Sequence, residues 1–241
     1  LSAEQRQAHT NAMRGFVLGG AELQGEAKDR FAQIQEKQAE LSQKFSENSL
    51  DATDAFALYA EDDEMAGVPQ DIRDAARQAA KAEGKSGHKL TLKMPCYLPV
   101  MQFAERSDLR ERLYRAYTAR ASDQAEQAFL QYDNTAIMQA LLRLRQEEAD
   151  LLGYPHFAHV SLVPKMAESP EQVVDFLREL AQKARPYAEQ DLADMRAFAS
   201  STLGMGNPQA WDWSFIAEKL KEARFAFSEQ QIKPYFTAPK V

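Results

Sequence analysis

Two prolines four residues apart, in the run Met94-Pro95-Cys96-Tyr97-Leu98-Pro99-Val100-Met101, constrain this chain more than any other feature. Each locks its own φ and pushes the preceding residue toward extended geometry. The run predicts a stiff connector over Met94 to Leu98, entered from a short apolar strand. It is left through Pro99, which suits the first turn of a new helix because its missing N–H is no loss there. Leu109, Leu113, Ala116 and Tyr117 then recur at helical spacing, with Ser107 and Asp108 as caps.

The remaining periodicity is almost all helical. Ser2 with Gln5 reads as a capping box for a helix that stops before Gly19-Gly20. Phe31, Ile34, Gln38, Leu41 and Phe45 stripe a second helix over 25–46, with the polar Gln38 inside the apolar row. The period then changes to two. Phe56 with Leu58, and Leu90 with Leu92, predict two short strands paired as a ribbon at about 55–60 and 88–93. Between them Pro69 opens and Gly84 closes an Ala-rich helix.

After the proline run every signal is a helix. Asp133 or Asn134 starts one carrying Ile137, Leu141, Leu144 and Leu151, with Gly153 just past its end. Ser169-Pro170-Glu171-Gln172 starts another, carrying Val173, Phe176, Leu177 and Leu180 toward Gly204, and Pro186 is expected to kink or break it. A last helix over 211–227 and a short turn from Ser228 complete the set. The expected fold is mainly α: a multi-helix array with one small two-stranded β ribbon, forming a single helical region over 1–241 with a sub-division point near 123–133.

Composition removes several function classes. The net charge is −7 with no long basic block, so nucleic acid is not expected as a partner. Cys96 is the single cysteine, which rules out an intrachain disulfide and reads as a structural thiol. No segment approaches the roughly 20 apolar residues a membrane helix needs. Leu1 to Asn11 is mostly polar and unlike a secretory leader.

Few residues group in a way that suggests chemistry. His156 and His159 can share a helical face, yet no Glu or Asp lies between or directly beside them. Two ligands make no zinc site, so capping or packing is their default. The acidic patch Glu61 to Glu64 reads as a solvated loop. Gly84-Lys85-Ser86-Gly87 precedes a strand and lacks the glycine a phosphate loop needs. Arg106 to Arg120 interleaves arginines with tyrosines, the pattern of a charged face over a Leu/Tyr core.

Ordered blocks carry a resemblance along nearly the whole chain. They are Phe45 to Thr53, Ala66-Gly67-Val68-Pro69, the run from Pro95 to Ser122, Asp133-Asn134, Lys165 to Glu168, Arg196 to Ala199, Trp211-Asp212 and Pro234-Tyr235-Phe236. Together they resemble the thimet oligopeptidase family of zinc metallopeptidases, in its oligopeptidase A branch. Cys96 stands where that family usually has Ser. The resemblance implies a helical ellipsoid with a deep narrow channel that admits short peptides to a zinc ion. That ion is held by His-Glu-x-x-His and a further Glu.

No such motif occurs here, and none of His9, His88, His156 and His159 is followed by Glu. The chain is therefore expected to be a fragment from before the zinc site, supplying channel wall and scaffold to a cytoplasmic peptidase. It is expected to have no catalytic residue, bind no zinc, and be inactive alone. Zinc belongs to the parent protein, and the expected partners are short peptides and the missing C-terminal catalytic part. Substrate-binding residues are unknown. Arg106, Arg115, Tyr97 and Trp211 are candidates to face substrate, with core or surface roles at least as well supported. Truncation also predicts exposed apolar surface where the missing part packs. A stand-alone helical peptide-binding module is the alternative.

Overall fold

The computed structural model describes residues 1–225 and Tyr235. The chain forms nine α-helices and one two-stranded sheet among the described residues, as the periodicity predicts. Two compact units divide it, Leu1–Asn48 with Asn134–Pro186, and Ser49–Asp133 with Tyr187–Val241.

In the first unit, α1 (Ala3–Leu18) begins on the expected box: Ser2 accepts from the Gln5 amide and the Gln5 side chain accepts from Ser2 N–H. Helix α2 (Gly25–Ala55) buries Phe31 and Ile34 and runs nine residues past the predicted stop. Its Gln38 is explained by α6 (Thr135–Leu151), where the buried Glu148 accepts a 2.6 Å hydrogen bond from the Gln38 side chain. Two turns nearer the start of α2, Arg30 grips Glu147 with two bonds of 2.6 and 2.7 Å. Helix α7 (Phe157–Leu162) follows, and α8 (Pro170–Ser201) opens with Gln172 N–H on Ser169 Oγ. Pro186 lies inside α8 without ending it, contrary to a full break.

The second unit holds the main core. Strands β1 (Leu58–Ala60) and β2 (His88–Leu90) pair antiparallel, Leu58 opposite Leu90, shorter than the expected ribbon but in its place. Helix α3 (Gln70–Ala82) starts after Pro69 and packs on β2, burying Ala76 and Ala80.

The proline run departs from expectation. Helix α4 (Met94–Phe103) already contains the stretch expected to be a connector. Lys93 is the extended cap, Pro95 occupies the first turn, and both Cys96 and Tyr97 donate to the Lys93 carbonyl. Pro99 lies in the helix interior, where it forfeits one backbone bond; burial of Tyr97, Val100 and Met101 outweighs that loss.

Helix α5 (Ser107–Thr118) is capped by Arg106, so Ser107 and Asp108 sit in its first turn with their side chains engaged elsewhere. Leu109 and Leu113 are wholly buried with Met65, Leu90 and Val100. A 3₁₀ turn over Gln127–Tyr132 was not signalled by the sequence. Helix α9 (Trp213–Phe225) follows a 3₁₀ turn at Ala210–Asp212, and Phe215 and Ile216 pack with Ala199 of α8. The expected turn from Ser228, and the motif residues Pro234 and Phe236, lie outside the described residues.

Candidate functional site

The face where α5 meets the 210–212 turn collects three of the four residues with a possible substrate role. Arg106 is held by Asp108 through bonds of 2.8 and 2.7 Å and reaches Asp63 at 3.4 Å. The guanidinium holds the Asp108 carboxyl at about 2, well below the usual range. Arg115 pairs with Glu111 at 2.8 Å and lies 5.1 Å from the Trp211 ring centre. Trp211 donates from Nε1 to Ser107 Oγ at 3.0 Å, and that hydroxyl donates to Asp212 at 2.7 Å. Tyr97 is buried, stacked on Tyr117 at 4.2 Å, and burial pushes its phenol up to about 12. These are packing and ion-pair roles.

Beneath this network lies an ion pair no sequence pattern announced. Arg110, 1 % exposed, contacts Asp212 at 2.5 Å and lies 4.4 Å over the Phe215 ring. One signal was available: Arg110 shares helical spacing with Leu113 and Tyr117, so a charge stood on an apolar row.

A cavity of about 530 Å³ opens beside the C-terminal end of α5. Phe56, Leu92 and Phe129 supply apolar lining, and Arg115, Arg120 and Glu126 supply charge. Arg120 lies over the Tyr117 ring at 4.2 Å. Ala121, also lining it, holds φ +53°, a left-handed backbone unusual for a residue with a Cβ. Apolar walls with a few convergent charges suit binding.

The remaining sequence candidates take structural places. The acidic patch is more than a solvated loop: Asp62 pairs with Arg77 at 2.8 Å, Asp63 with Arg106, and Glu64 with Arg112. Arg77 holds the Asp62 carboxyl below its ordinary value. His88 is wholly buried, its Nε2 3.6 Å from Asp62. Cys96 is a free, half-buried thiol accepting from Thr91 N–H at 3.4 Å. His156 caps α7 through its backbone, and its ring lies 4.2 Å from that of His159.

Sequence comparison decides the family. The model for Peptidase family M3 matches residues 100–241. The chain belongs to peptidase family M3. Oligopeptidase A of Salmonella typhimurium is 43 % identical over 241 residues, all of this chain and 35 % of the relative. Oligopeptidase A of Escherichia coli is 42 % identical with the same coverage. The probable cytosolic oligopeptidase A of Arabidopsis thaliana is 37 % identical over 99 % of this chain and 35 % of its own length. The M3 chain thus spans about a third of these relatives.

The zinc ion that the family resemblance implies does not fit the residues present. His156 and His159 are two donors, and the described residues hold no group of three His, Cys, Asp or Glu arranged to bind a metal. Among the described residues, no helix of this M3 chain is long and apolar enough to cross a membrane.

Proposed function

We propose that this chain is the non-catalytic helical portion of a longer, cytoplasmic, zinc-dependent oligopeptidase that hydrolyses short peptides. Its 43 % identity to an oligopeptidase A along the whole of its length carries that reading. The 241 residues serve as channel wall and as the scaffold behind it, admitting peptides by shape, and none of them is assigned to catalysis. Carbonyl polarisation by zinc, with a Glu base on water, is chemistry of the parent protein. The Arabidopsis relative, a probable cytosolic oligopeptidase A, supports the cytoplasmic placement.

Reading the gene beyond Val241 tests this against the alternative of a stand-alone peptide-binding module. A frame that continues into His-Glu-x-x-His supports the peptidase. A stop directly after Val241 supports the module.

A further inference from the structure

We propose that the bare apolar face near the start of α8 is a docking surface, covered in the full-length protein by an apolar surface of the same polypeptide lying outside residues 1–241. The inference rests on the reading of the chain as part of a longer family M3 peptidase.

Phe176, Leu177 and Leu180 share one side of α8, and they are 64 %, 54 % and 53 % exposed. Val174 beside them is 41 % exposed. Isolated exposed leucines are ordinary on a protein surface, but neighbouring large side chains on one helical face make a contiguous patch of the kind that marks an interface. The charged residues interleaved with them are already partnered. Asp175 pairs with Arg178, and Glu179 with Lys183, all within the helix.

Three observations choose the occupant. The relatives extend over nearly three times the length of this chain, which covers 35 % of them, so ample polypeptide exists to cover the face. Helix α8 lines neither the 530 Å³ cavity nor a second one beside Met13 and Tyr154, which disfavours a small peptide. Each copy carries a net charge of −7, which opposes pairing of two copies.

Side-chain footprinting with a photoactivated carbene, read by mass spectrometry, tests this on the full-length protein beside the 241-residue chain. Labelling of Phe176, Leu177 and Leu180 should be at least about tenfold slower in the full-length protein, independent of concentration, because close packing excludes the reagent. Equal labelling overturns the proposal. So does protection that grows with concentration of the 241-residue chain, which means a second copy, or protection that appears only with an added eight-residue peptide. Leu180→Ala in the full-length protein should raise labelling of Phe176. A full-length protein that protects the face yet hydrolyses no peptide removes the peptidase reading and leaves this one standing. One that hydrolyses peptides with the face bare overturns this proposal alone.

Discussion

Asn48 donates its side-chain amide to Asn134 Oδ1 at 3.0 Å, and Asn134 in turn donates to the Phe45 carbonyl at 3.0 Å. Both side chains are buried, 86 residues apart in sequence, and they join α2 to the start of α6. Replacing Asn134 by Ala strands the Asn48 amide away from water. The expected loss is about 2–3 kcal/mol, measured by urea unfolding, and a change below about 0.5 kcal/mol would contradict the assigned pairing.

The Arg110–Asp212 pair predicts a larger effect with a distinctive rescue. Asp212→Ala leaves a guanidinium that is 1 % exposed without its carboxylate, at a cost of about 3–5 kcal/mol. The double variant Arg110→Met with Asp212→Leu should recover most of that loss, because no charge is then left buried. Thermal melts of the three proteins separate the cases. A double variant no better than Asp212→Ala counts against the pair.

Gly67 and Gly84 separate two causes of glycine dependence. Both have left-handed backbone, at φ +81° and +68°. A Cβ at 67 would lie 2.3 Å from the Phe103 carbonyl oxygen, whereas one at 84 meets nothing within 4 Å. Gly84→Ala should cost only the conformational term, about 1 kcal/mol. Gly67→Ala should cost clearly more, since backbone must move. Equal losses in chemical denaturation would show that crowding at Gly67 contributes nothing.

Tyr97 sets an alkaline limit. Its phenol is raised to about 12, above the ordinary 10, so the folded state resists ionisation. The stabilisation is complete below pH 10 and is lost as pH rises from 10 toward 12. Absorbance titration at the tyrosinate band should show one late-ionising group that Tyr97→Phe removes. Asp108 acts at the other end: its lowered value of about 2 gives stability present above its ordinary range and lost as pH falls toward 2. The melting-temperature difference between wild type and Asp108→Asn should vanish there.

Much of the fold was legible because local signals agreed with tertiary demands. The Ser2–Gln5 box, the Pro69 start and the alternation at Leu58 and Leu90 each have a local cause, and each element formed where expected. The stop predicted near Ser46 failed because Asn48, Ser49, Asp51 and Thr53 are weak helix formers that tertiary contacts override. Asn48 is held by Asn134, and Ala52 is buried. The prolines misled for the same reason, since burial of Val100 and Met101 carries the helix through Pro99.

The face of α8 illustrates the opposite limit. Periodicity correctly placed Phe176, Leu177 and Leu180 on one side of a helix, yet no pattern within the sequence states what covers them. The cavity was illegible for a different reason. Its lining comes from the end of α2, the segment after β2, the end of α5, the loop at 119–126 and the 3₁₀ turn at 127–132, which only the folded chain brings together.

The assignment of this chain to the non-catalytic part of a peptidase stands or falls on hydrolysis of a quenched-fluorescence peptide, assayed side by side with the 241-residue chain and with the full-length protein. The full-length protein should cleave the peptide, with activity that a chelator abolishes and zinc restores, and the 241-residue chain should not cleave it with or without zinc. Zinc-dependent cleavage by the 241-residue chain, or a folded full-length protein that cleaves no peptide with zinc present, would contradict the assignment.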